Sequence, residues 1–113
     1  MNLIKALFLV DDSKWKVRAL AVLLSRTETL TNQSTLPFEN VKGFSPYAKT
    51  ALNKALKFLC DNNIAIKLTK QNAKKLDIPY RKYTWILNPN VINNPETFED
   101  ICISWKLLTG NEP

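Results

Sequence analysis

The dipeptide Ser45-Pro46 constrains the fold of this chain more than any other feature. Serine is a strong N-cap, and proline costs nothing in a first helical turn, where its missing N–H has no partner to lose. No helix breaker follows for many residues, so a helix is predicted from Pro46 to about Asp61. Ala48, Leu52, Ala55, Leu56 and Leu59 recur at helical spacing and form its buried stripe. Tyr47, Lys49, Thr50, Asn53, Lys54 and Lys57 are left facing out. Asn62-Asn63 then supplies residues that tolerate the left-handed conformation of a helix end. Directly afterwards the period changes to two. Ile64, Ile66 and Leu68 alternate with Ala65, Lys67 and Thr69, which predicts a strand with one buried face.

A polar stretch, Lys70 to Pro79, interrupts that pattern. Alternation resumes with Tyr80, Lys82 and Thr84 set against Arg81, Tyr83 and Trp85, and Ile86-Leu87 closes the run before Asn88-Pro89. Two alternating runs around a loop of this length predict a long-tipped hairpin, with Pro79 at an edge or loop tip.

Upstream, Asp12 or Ser13 offers an N-cap to a helix carrying Trp15, Val17, Ala19, Leu20, Val22, Leu23 and Leu24, ending near Arg26 to Glu28. Lys14, Lys16, Arg18 and Arg26 mark its polar side. The residues before it, LIKALFLV from Leu3, fit a strand or a helix start equally. Between Thr27 and Gly43 periodicity fades. Leu36, Phe38 and Val41 are candidate anchors, and Pro37 could open a short helix capped by Thr35. At the far end, Asn94 and Pro95 predict the start of a last helix over about 95–109, with Gly110 past its end. Phe98, Ile101, Cys102, Trp105 and Leu108 share one of its faces.

The length of 113 residues, the lack of repeats and only two glycines predict one domain over 1–113, without a flexible linker. The Leu3–Val10 run is too short to span a bilayer and lacks a cleavage site, so no membrane association and a cytoplasmic location are expected. Cys60 and Cys102 read as buried free thiols or as a disulfide pair.

Net charge is +6, and it is unevenly placed: +1 over 1–41, +8 over 42–82 and −3 over 83–113. The surplus falls on the capped helix and the hairpin after it. Clustered Lys and Arg bind a phosphate backbone through counterion release, whereas solubility alone needs no clustering. The bland alternative is that these lysines only solvate a helix face and edge strands.

The chain has no histidine, which removes the usual general base and nucleophile activator at neutral pH. Two glycines cannot form a phosphate-cradling loop, and no metal-ligand spacing exists. Tyr47, Tyr80 or Tyr83 would need an arginine or histidine-metal cluster to act as a strand-transfer nucleophile, and none is present. No enzyme activity and no cofactor are expected.

The order of helix, linker, capped helix and hairpin resembles the winged helix-turn-helix superfamily over roughly residues 13–90. Leu52 to Ile66 (LNKALKFLCDNNIAI) is similar to the end of that family's recognition helix. Leu56 and Leu59 match its paired leucines, Asn63 stands where many members have glycine, and Lys54 where many have arginine. Tyr83 to Val91 (YTWILNPNV) resembles the strand ending in Asn-Pro of small winged-helix replication initiators from low-GC bacterial plasmids. Two departures stand out. The usual second helix is barely visible between Thr31 and Val41, and the wing loop is longer and more basic than common.

The resemblance implies an α+β fold: a three-helix core plus a β-hairpin wing, here with an extra C-terminal helix. It also implies double-stranded DNA as partner. Tyr47, Lys49, Thr50, Asn53, Lys54 and Lys57 would face the major groove, with Asn53 reading adenine and Lys54 guanine. Lys67, Lys70, Lys74, Lys75, Arg81 and Lys82 would place the wing on the adjacent backbone or in the minor groove. The expected setting is a plasmid or other mobile element, at a replication or conjugative-transfer origin or as a repressor. With no room for an effector domain, the protein would position a larger replication or transfer enzyme. The alternative is a winged-helix module that binds only protein, through the Phe98–Leu108 stripe. A homodimer through the C-terminal helix together with the first helix is a third use, and packing of the stripe on the protein's own core is the plain one.

Overall fold

The helix opened by Ser45-Pro46 is the longest element of the chain. In the computed structural model, which describes residues 1–37 and 45–113, it runs over Pro46–Asp61. Ser45 Oγ accepts from the Ala48 N–H at 3.2 Å. Asn63 closes the other end with φ 64°. Leu52, Ala55, Leu56 and Leu59 are buried as the spacing predicts. Because Ser45 is exposed and its bond local, Ser45→Ala is expected to cost about 1 kcal/mol in urea denaturation, with no change in the folded spectrum.

Among the described residues there are five helices and one antiparallel sheet of three strands. In chain order the elements are α1 (Leu3–Val10), α2 (Lys14–Ser25), β1 (Gln33–Thr35), α3 (Pro46–Asp61), β2 (Ala65–Lys67), α4 (Lys70–Leu76), β3 (Thr84–Leu87) and α5 (Phe98–Thr109). The N-terminal run is a helix: Asn2 accepts from the Lys5 N–H at 2.9 Å and caps it. Ser13, not Asp12, caps α2.

The sheet order is β1-β3-β2, with Gln33 opposite Ile86 and Ile66 opposite the same residue from the other side. The strand β1 was not foreseen. Its Gln33 and Ser34 are buried with their side chains hydrogen-bonded: Ser34 Oγ donates to the Leu23 carbonyl at 2.7 Å, and Gln33 Oε1 accepts from the Arg81 guanidinium at 2.8 Å.

The central strand β3 corrects the expected alternation, since all four of its residues are buried. Trp85 and Leu87 join the main core with residues of α1, α2 and α3, including Val10, Leu20, Leu23 and Leu59. Ile86 joins a second cluster with Leu68 and Ala73, flanked by Leu76, Ile78 and Leu108. Helices therefore cover both faces of the sheet. The run Tyr80 to Tyr83 is not strand, because Tyr83 adopts φ 55° and turns the chain into β3. On β2, Ala65 is buried and Ile66 only half-buried, against the predicted alternation.

The polar stretch after β2 is also different from the predicted loop: it is the helix α4. Thr69 Oγ1 accepts from the Asn72 N–H at 3.0 Å, and Asp77 ends the helix with φ 55°. Lys74 and Lys75 sit in its last turn, where they favour the helix dipole.

Two further corrections concern the ends of elements. Thr35 closes β1 rather than capping a helix. Phe38, Val41 and the short helix expected after Pro37 lie outside the described residues. The last helix starts at Phe98, later than Asn94-Pro95 predicts, because Asn94 Oδ1 accepts from the Glu96 N–H and forms a turn instead. Gly110 ends it with φ 74°, as expected. Among the described residues no helix is long and apolar enough to cross a membrane.

Candidate nucleic-acid interface

The outward face of α3 is set by its core stripe: with Leu52, Ala55, Leu56 and Leu59 turned in, the residues between them must face solvent. Tyr47, Lys49, Thr50, Asn53, Lys54 and Lys57 are all exposed, as predicted. Their local bonds separate them. Thr50 Oγ1 donates back to the Pro46 carbonyl at 3.0 Å. Lys57 Nζ lies 2.7 Å from Asp61, whose carboxylate raises the Lys57 ammonium above its usual range. Lys49 and Lys54 carry no ion pair among the described residues.

An open cleft of about 400 Å³ runs beside this face, lined by Asn53, Leu56, Lys57, Cys60, Lys67 and Trp85. It joins Lys67 of β2 to the polar side of α3, so three of the predicted contact residues share one surface. Burial pushes the Cys60 thiol up, which keeps it protonated and unreactive at neutral pH. Cys102 is raised for the same reason, reinforced by Glu112 and Glu99. Both cysteines are free.

The remaining basic residues are not brought to α3. Lys70, Lys74 and Lys75 are exposed on α4, which packs against α5 on the Ile86 side of the sheet. Lys70 Nζ stands 5.9 Å from the centre of the Tyr80 ring. Arg81 is engaged within the fold: its guanidinium donates to Glu28 at 3.0 Å and to Gln33 Oε1 at 2.8 Å. That clamp ties the α4–β3 connection to the turn before β1. Lys82 is exposed.

Sequence reasoning missed Lys16, which holds α2 on α3. Its ammonium lies 3.8 Å from the centre of the Phe58 ring and 3.3 Å from Asp12. A helical wheel of α2 alone could not reveal this, because Phe58 is 42 positions further along the chain.

The Phe98–Leu108 stripe turns inward. Trp105 is buried, and Phe98, Ile101, Cys102 and Leu108 are half-buried. Among the described residues no three His, Cys, Asp or Glu side chains gather in a way that could hold a metal ion. A scan against protein-family models and searches of curated proteins and of solved structures find no match to this chain.

Proposed function

We propose that the protein binds double-stranded DNA as a winged helix-turn-helix module and does no catalysis. The observation that carries this reading is α3 itself, a capped helix of 16 residues whose exposed side gathers Tyr47, Lys49, Asn53 and Lys54. An α-helix with this width of polar face fits the major groove, where lysine and asparagine pair with guanine and adenine edges. The element order supports the same reading. A helix α2 packs on α3, and an antiparallel pair, β2 and β3, leaves the C-terminal end of α3 as a wing would.

The site is weighted toward α3 and Lys67. Lys74 and Lys75 lie on the far face of the sheet, where α4 rests on α5, so they serve the backbone only at the margin of a complex. A role at a plasmid or mobile-element origin, in replication or conjugative transfer, or as a repressor, rests on the sequence resemblance alone.

The test is fluorescence anisotropy with labelled AT-rich and random duplexes across a salt series. Each phosphate contact removed lowers the slope of log K against log salt by about 0.9. Lys49→Ala/Lys54→Ala is expected to lower the slope by about 1, through the phosphate contact of Lys49, and the affinity at least tenfold through the added loss of the Lys54 base contact. Lys74→Ala/Lys75→Ala/Lys82→Ala is expected to change both less. No binding by the native chain at low salt would refute the DNA reading and leave a protein partner as the alternative.

A further inference from the structure

The loop between α4 and β3 exposes every residue from Pro79 to Tyr83, and its sequence, PYRKY, sets two tyrosines around two cations. Tyr80 and Tyr83 are each 39% exposed. The loop is tied down at three points. The Ile78 N–H donates to the Ala73 carbonyl at 3.0 Å, and the Tyr83 carbonyl accepts from the Leu36 N–H at 2.8 Å. Between them the Arg81 guanidinium holds Glu28 and Gln33. Beside the loop runs a row of ammonium groups. Lys70 Nζ stands 5.9 Å from the centre of the Tyr80 ring. Lys74 follows on the same side of α4, about 6 Å further along its axis. Lys70, Lys74, Lys75 and Lys82 are exposed and carry no ion pair among the described residues. Asp77 is the one acidic residue from Lys70 to Tyr83.

We infer that this loop and the outer side of α4 form a second nucleic-acid site, which takes a single strand with unpaired bases. A base stacks on the Tyr80 ring while Lys70 and Lys74 follow the backbone phosphates. An exposed aromatic ring beside a row of cations is the combination that holds single strands, since every unpaired base has a face to stack. A duplex offers base edges rather than faces, so the ring would go unused on it. An anionic bilayer would need an apolar side next to the lysines, and α4 turns Ala73 and Leu76 into the fold instead. An acidic peptide would pair with the lysines but give the ring nothing to stack on. Because the loop is already tied, little ordering cost falls on binding. The site lies on the Ile86 side of the sheet, apart from α3, and does not rest on the duplex reading.

Fluorescence anisotropy tests this with labelled oligothymidylate and oligouridylate of about 12 nucleotides, the two probes distinguishing DNA from RNA as the strand. The native chain is expected to bind at least one of them at low salt. Tyr80→Ala is expected to weaken that binding at least about fivefold and Tyr80→Trp to keep it, both with an unchanged folded spectrum. Lys70→Ala/Lys74→Ala is expected to lower the slope of log K against log salt by about 1.4, at about 0.7 per phosphate. Lys49→Ala/Lys54→Ala should leave single-strand binding native, and Tyr80→Ala should leave duplex binding native, so failure of either site shows by itself. No binding of either probe at low salt would overturn the inference, as would a Tyr80→Ala protein that binds like the native chain. Displacement of the strand by polyglutamate as readily as by unlabelled oligothymidylate would overturn it in favour of an acidic protein partner.

Discussion

Trp105→Ala is expected to destabilise the protein by about 3–5 kcal/mol, the range for removing a fully buried indole. Trp105 is 1% exposed and is the largest fully buried side chain in the molecule's described part. It also carries a directional tie. Its Nε1–H donates to Asn63 Oδ1 at 3.2 Å, and Asn63 Nδ2 donates in turn to the main-chain oxygen of Pro113 at 3.3 Å. Asn63 is the residue that turns α3 into β2 with φ 64°. The indole therefore links α5 to the junction that aims the polar face of α3. Trp105→Phe separates packing from bonding: it keeps most of the apolar volume and removes the donor, for an intermediate loss dominated by the unpaired Asn63 oxygen. Urea denaturation of the three proteins measures both parts. A loss below about 1 kcal/mol for Trp105→Ala would mean that α5 docks without depending on this side chain.

The parts of this fold that sequence made legible are those whose signals are local. Ser45-Pro46, the stripe from Leu52 to Leu59 and the Asn62-Asn63 turn each act within four residues of themselves, and α3 appears with its predicted boundaries and exposed side. The same is true of Gly110. What sequence concealed depends on distant partners. The α4 segment KQNAKKL buries only Ala73, so it has no apolar period to read; its one clue was Thr69 as a cap. The strand β1 is polar and becomes buried only because Leu23, Arg81 and β3 supply its bonds. Arg81 looked like a free wing cation, yet its partner Glu28 stands 53 positions away. The N-terminal helix was undecidable by period because α1 is apolar on nearly every side, with Lys5 its one charged residue.

Asn32 carries the second large effect, and three substitutions are expected to rank in a set order. The residue is 1% exposed and adopts φ 56°. Its Nδ2 donates to the Leu87 carbonyl at 3.0 Å and to the Ile92 carbonyl at 2.9 Å, pinning the end of β3 and the loop beyond it. Asn32→Gly removes both bonds but adopts the left-handed conformation freely, for a loss of about 2 kcal/mol. Asn32→Ala loses the same bonds and adds left-handed strain of about 1 kcal/mol. Asn32→Asp is the worst at neutral pH, since it sets a carboxylate against two carbonyl oxygens in a buried site. Burial beside those oxygens raises the introduced carboxyl's pKa in the folded state. Protonation therefore stabilises the fold at acid pH, and that gain is lost as pH rises through the raised value. Urea midpoints at neutral pH and near pH 4 measure the series. Equal losses for glycine and alanine would assign the whole effect to the two bonds. An aspartate variant no worse than alanine at neutral pH would show that water reaches this site and that the sheet end is looser than its packing implies.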